Sequence, residues 1–253
     1  MNALGVAIRV EARKARAARP VLATSVLFAG GLLALAIGMT LAASSGRPEL
    51  VGKLGPLADA RGWELYLGVA IQVAGAAGLL ATGVVLAYLV GREFGDGTIA
   101  GLFALPVPRA VILAAKVVVF LAWSLVLALA VGLAVLLGGL ALGLEGQPGD
   151  VAAALVRLVA LVPLSALTAV PVALAASLGR GLLPGIGLAV VLLAAAQVAV
   201  VAGAGPWFPV ATGALWAIDP AAVPPLAFLP AVTLPVAAGL VSARVWSRLQ
   251  LDR

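Results

Sequence analysis

Apolar residues in this chain fall in unbroken stretches of about 20 or more. That is the length at which a helix rising 1.5 Å per residue crosses roughly 30 Å of hydrocarbon. Short polar segments separate six such stretches. They run from about Pro20 to Ala43, from beyond Tyr66 to Val90, from Val111 to Leu144, from Val151 to Leu178, from Pro184 to Ala204, and from beyond Pro225 to near Val245. Transmembrane strands would show short alternating segments instead of continuous Leu, Val and Ala runs. The pattern predicts an all-α polytopic membrane protein with six transmembrane helices, kinked in the fourth by Pro163 and Pro171.

Ahead of the first stretch, Arg9, Arg13 and Arg16 recur at i, i+4 and i+7, with Lys14 and Arg19 beside them, while Leu4, Ile8, Ala12 and Ala15 share another face. This spacing predicts an N-terminal amphipathic helix over residues 1–19, lying on the inner leaflet with its basic side on anionic headgroups. The apolar stretch that follows exceeds the roughly 7 to 15 residues of a signal-peptide core. Residues 1–253 then form one transmembrane domain: the interfacial helix, six spans over 20–245 and a tail at 246–253.

Composition agrees. Hydrophobic residues make up 64% and charged residues 10% of the chain, with a mean hydropathy of +1.20. Cysteine and histidine are absent, which removes thiolate or imidazole catalysis, disulfides and His/Cys metal sites from this polypeptide. The net charge of +6 does not point to nucleic acid, because the basic residues flank apolar runs rather than forming a solvated stripe. Twelve of the sixteen Lys and Arg residues fall on one side of the predicted topology, which places both termini in the cytoplasm of a multi-pass plasma-membrane protein. Arg47, Lys53, Arg61 and Arg157 fall on the other side.

The segment between the second and third spans, from Gly91 to Arg109, carries the most specific pattern. Asp96 is placed to cap a short helix, Ile99, Leu102 and Phe103 fall at i, i+3 and i+4, and Pro106 with Pro108 forces its end. An apolar face on a cytoplasmic loop invites a partner groove. From Arg92 to Lys116 the run holds Glu93, Asp96-Gly97-Thr98, a Leu-rich turn, Pro106-Val107-Pro108-Arg109 and Lys116. It resembles the corresponding loop of type-2, exporter-type ABC transporter permeases, although Pro108 stands where that family often has Ser. The basic start, six spans and a segment before the last span resemble the same family.

That resemblance implies the membrane permease subunit of an ATP-binding cassette exporter, with no nucleotide site or cofactor of its own. ATP and Mg would be bound by two copies of a partner ABC ATPase, and a second permease, identical or homologous, would complete the path. It further implies that Glu93, Asp96, Gly97, Thr98, Ile99, Leu102, Phe103, Pro106 and Arg109 couple this chain to the ATPase, Glu93 and Arg109 anchoring the short helix at its two ends. The Gly-rich stretch from Gly46 to Lys53 has the wrong spacing for a phosphate loop and is followed by Leu54.

Candidates for the path or gate are fewer. Arg157 falls within a predicted span, two turns from Asp150, where a structural arginine snorkels to the headgroups. Gln72 and Gln197 are expected to be buried amides that bond between helices or line a path. Trp207 and Phe208 belong to an outer aromatic belt or guard the exit. A secondary transporter is the competing class, but no Asp or Glu lies deep in any span. A haem-export or cytochrome-maturation permease is the nearer alternative. A Ser-Lys dyad at Lys116 is the one protease-like arrangement left.

Overall fold

The computed structural model describes residues 2–45 and 52–250. Arg47, Arg253 and most of the Gly46 to Lys53 stretch lie outside the described residues. Ten α-helices follow one another among those residues: α1 (Ala3–Arg16), α2 (Arg19–Ser44), α3 (Gly62–Gly95), α4 (Ile99–Phe103), α5 (Arg109–Ala141), α6 (Pro148–Thr168), α7 (Pro171–Leu178), α8 (Leu182–Val201), α9 (Pro209–Ile218) and α10 (Phe228–Arg248). There is no strand among them. Six helices are long and apolar enough to cross a membrane, with α6 and α7 counted as one interrupted span.

Helix α3 is the hub, packing on α2, α5, α6, α7, α8 and α9. Its 34 residues and the 33 of α5 give about 50 Å each, some 20 Å more than the hydrocarbon thickness. Both therefore overhang the bilayer core. Glycines and alanines set how closely the neighbours approach. A side chain at Gly83 would meet Ala189, one at Gly185 would meet Ala87, and one at Gly91 would meet the backbone of Gly181 and Leu182. These three contacts zip α3 to α8, as small residues do where no hydrophobic force separates helix from lipid.

The two prolines of the fourth span act differently. Pro163 sits inside an unbroken α6, whereas the helix stops at Ala169 and Val170 before Pro171 starts α7. Pro171 removes the amide that would bond Leu167 O, and the Val170 amide takes that carbonyl at 3.2 Å.

Between the fifth and sixth spans, α9 is ten residues long, about 15 Å, too short to cross. It is not a surface loop. Ala214 on α9 meets Gly75, thirteen residues into α3, and Gly213 faces Leu164 on α6. The chain thus dips back among the helices and returns to the end it came from.

One end of the bundle gathers α1, α4, the α7–α8 turn and the end of α10, because Glu11 reaches Lys116, Arg109 reaches Leu249 and Arg180 reaches Gln250. We call this the α4 end, and the opposite one the Trp63 end. Arg61 and Arg157 lie at or toward the Trp63 end. Replacing Gly91 with Val should lower stability by about 1–3 kcal/mol through overpacking against backbone. Gly187→Val, at a site open to space, should change it by no more than about 0.5 kcal/mol. Thermal unfolding in detergent distinguishes the two.

Candidate functional site

A buried charge cluster organises the α4 end. Lys116, two turns into α5, has a fully buried side chain. Its Nζ lies 2.7 Å from Glu11 Oε2 and 2.9 Å from Glu93 Oε1. Lys14 Nζ closes the group, 3.0 Å from Glu93 and 3.3 Å from Glu11. The two lysines offset the two carboxylates, which is the condition for holding ions out of water, and Arg92 Nε stands at the edge of the group, 3.8 Å from Glu93 Oε1.

The cluster binds three elements that the chain supplies far apart: α1 through Glu11, the end of α3 through Glu93, and the start of α5 through Lys116. Amphipathic α1 is consequently packed along α5, with Ala15 buried and Ile8 and Ala12 partly covered. Its Arg9, Arg13 and Arg16 remain exposed. Glu11 was not singled out in the sequence, because a lone acid among five basic residues reads as an i, i+3 partner of Lys14. The signal available was its position on the Ile8–Ala12–Ala15 side of the helix.

Glu93 also accepts a short hydrogen bond from Thr98 Oγ1, and Thr98 is the residue that starts α4. Asp96 does not cap that helix. Its side chain is exposed, while its backbone amide closes the last turn of α3 on Arg92 O at 2.8 Å. Gly97 follows with φ +69°, the left-handed turn that a glycine tolerates best after a helix.

At the far end of α4 the Arg109 guanidinium lies 4.2 Å from the centre of the Phe103 ring and donates to Leu249 O. Phe103 in turn meets Trp246 edge-on at 5.8 Å, as Phe94 does at 6.2 Å. Trp246 is fully buried and donates its indole N–H to Ser177 Oγ at 2.8 Å. The tail expected from residue 246 onward therefore begins as helix packed inside the bundle.

These contacts correct the expected exposure of α4. Ile99 is buried, and Leu102 and Phe103 are half-covered by their own chain. The face turned outward is the small one, Ala100, Gly101 and Ala104 with Leu105, followed by exposed Pro106. Beside it an open hollow of about 440 Å³ is lined by Lys14, Arg92, Asp96, Thr98, Gly101 and Leu105.

The path candidates separate. Gln72 and Arg157 share one cavity at the Trp63 end. Gln197 is exposed on the outer side of α8, not buried as its apolar neighbours led us to expect, and Trp207 is exposed as well. Phe208 is half-buried at the start of α9. Neither Gln197, Trp207 nor Phe208 lines that cavity. Among the described residues no group of three or more acidic side chains is arranged to hold a metal ion.

Five apolar spans packed with a sixth, central one, and a short helix pinned across one end, define a polytopic membrane protein. Residues 7–196 match the family model described as ABC-2 family transporter protein. The match covers most of the chain, which belongs to that family. The comparisons with curated proteins and with solved structures gave no match.

Removing one partner of a buried ion pair leaves a charge without compensation and costs about 3–5 kcal/mol. Lys116→Ala is expected to lose that much in unfolding experiments. Glu11→Gln should lose less, since Lys116 keeps Glu93. The double variant Glu11→Gln, Lys116→Ala should fall short of the sum of the single losses, because the two residues contact one another. Additive losses would show that the cluster does not act as a unit.

Proposed function

We propose that this chain is the permease half of an ATP-driven exporter and that α4 is the element through which a separate ATPase moves it. The observation that carries the reading is the double anchoring of α4. Thr98 is held by Glu93, and Phe103 is held by Arg109 and Trp246, so displacement of this short helix is transmitted to α3, α5 and α10 together. Its outward face of Ala, Gly and Leu suits insertion into a cleft on a partner, where small residues allow close approach. ATP and Mg belong to that partner.

The α4 end faces the cytoplasm in this reading. Arg9, Arg13, Arg16, Arg92, Arg180 and Arg248 all gather there, as positive-inside topology in a plasma membrane requires. The described start and finish of the chain lie at this same end. ATP binding closes a pair of ATPase subunits, pushes α4, and opens an outward path between two permeases.

A second permease, identical or homologous, packs through the spans that are least covered in one chain, α2 and α8. Gly30, Gly31 and Gly38 on α2 meet nothing within 4 Å, although glycine weakens a helix by about 1 kcal/mol relative to alanine. Close approach of another helix accounts for three such residues on one span.

The deciding experiment is copurification in mild detergent from the native host. An ATPase subunit should accompany the wild-type chain and be lost from Ala104→Arg and from Gly101→Trp, with thermal stability unchanged because both positions face outward. Transport by the chain alone, with no ATPase recovered, would move the assignment to a secondary transporter. Since the chain has no cysteine, Ala34→Cys provides a single crosslinking site. Under mild oxidation it should yield a disulfide dimer in membranes if the partner is a second copy, whereas Val156→Cys, on another span, should not.

A further inference from the structure

At the Trp63 end, α3, α6 and the turn between α5 and α6 enclose a cavity of about 440 Å³, within the size range of small-ligand sites. Its mouth is built around a glycine. Gly62 adopts φ +55°, and the space a Cβ would take is filled by the Glu145 carbonyl. The Trp63 amide donates to that same carbonyl at 3.1 Å, so the α5–α6 turn is fixed over the start of α3.

The charges lining this cavity are ordered by depth. Glu64, Glu145 and Asp150 are exposed at the mouth. Arg157 lies seven residues beyond Asp150 on α6, and Gln72 eight beyond Glu64 on α3, so their backbones are about 10–12 Å further along each helix, and the long side chains shorten that gap. Both are half-buried. Arg61, also at the mouth, is committed to its own loop through Ala58 O at 2.8 Å and Ala60 O at 2.7 Å.

None of these carboxylates pairs with Arg157 within 4 Å among the described residues, and Arg157 Nε is buried without a hydrogen-bond partner. Of the buried side-chain polar atoms described, it shares that state with the Tyr66 hydroxyl alone. A guanidinium within a membrane span is costly and normally finds a carboxylate or a carbonyl. Here three acids line the same space and leave it unmet.

We propose that the cavity binds a zwitterionic phosphate–amine group, with the phosphate on Arg157 and Gln72 and the amine among Glu64, Glu145 and Asp150. Guanidinium suits phosphate because its planar fork donates two bonds at once. Ammonium donates to the carboxylates, which at the same time repel a ligand carrying phosphate alone. The order matches a phospholipid headgroup approached from its own leaflet, phosphate deeper and amine outward. A soluble phosphate–amine compound would present the same two charges. The binding claim needs only the cavity; whether the ligand is cargo rests on the permease reading.

The full-length chain, loaded from vesicles of phosphatidylethanolamine and phosphatidylglycerol at equal mole fraction, is delipidated stepwise and its retained lipid counted by native mass spectrometry. Phosphatidylethanolamine should be retained about tenfold over phosphatidylglycerol, a difference of about 1.4 kcal/mol. Arg157→Gln should lose that retention about tenfold and Arg157→Lys should keep part of it. Glu64→Gln with Asp150→Asn, at exposed positions that do not bear on folding, should abolish the preference while leaving phosphatidylglycerol bound. Displacement by soluble phosphoethanolamine would support a free headgroup as the ligand, and retention against it would support the lipid. Equal retention of both lipids by wild type, or unchanged retention in the Glu64, Asp150 variant, would overturn the proposal. No ATPase takes part in this measurement, so its failure leaves the coupling reading standing, and loss of the ATPase in copurification leaves this one standing.

Discussion

The α4 end depends on one requirement: an ammonium ion carried two turns into an apolar helix must be neutralised where water does not reach. Lys116 meets it by drawing in carboxylates from two other helices, and the second lysine, Lys14, balances the extra charge. Helix α1, the end of α3 and the start of α5 take their mutual positions from that arrangement. Glu93 spends one oxygen on the lysines and the other on Thr98, so the same carboxylate that settles the charge also fixes where α4 begins. Burial makes Lys116 the member that matters most, since its loss would leave two buried carboxylates short of their deepest counter-ion.

A second, aromatic anchor complements the ionic one. Trp246 meets Phe94 and Phe103 edge-on and is tied to Ser177, so α3, α4, α7 and α10 meet at one ring. The two anchors differ in kind. The ionic one is directional and unforgiving, whereas the aromatic one combines area with modest geometric preference.

Much of this was legible beforehand. The six spans follow from run length alone, and the stop of α4 follows from the prolines at 106 and 108. What periodicity could not supply was direction. Ile99, Leu102 and Phe103 form an apolar stripe that reads equally as a face for a partner or for the chain's own Trp246, and only the tertiary packing decides. Asp96 looked like a cap because its side chain suits one, but the turn at Gly97 gives that place to Thr98. Gln197 looked buried because its neighbours are apolar, yet in a membrane helix apolar neighbours are found on the lipid side as well. Glu11 escaped notice for the converse reason: its buried partner, Lys116, lies 105 residues away, beyond the reach of any local pattern.

That separation has a consequence for biosynthesis. Glu11 leaves the ribosome more than a hundred residues before Lys116, and until the third span is inserted it has no deep-seated counter-ion to meet. The nascent α1 must wait, and the bilayer surface is where it can. Its exposed arginines suit anionic headgroups and its Ile8–Ala12–Ala15 side suits the acyl boundary. The amphipathic pattern suits a helix at a bilayer surface, and the lone glutamate within it marks where the helix is bound in the assembled bundle.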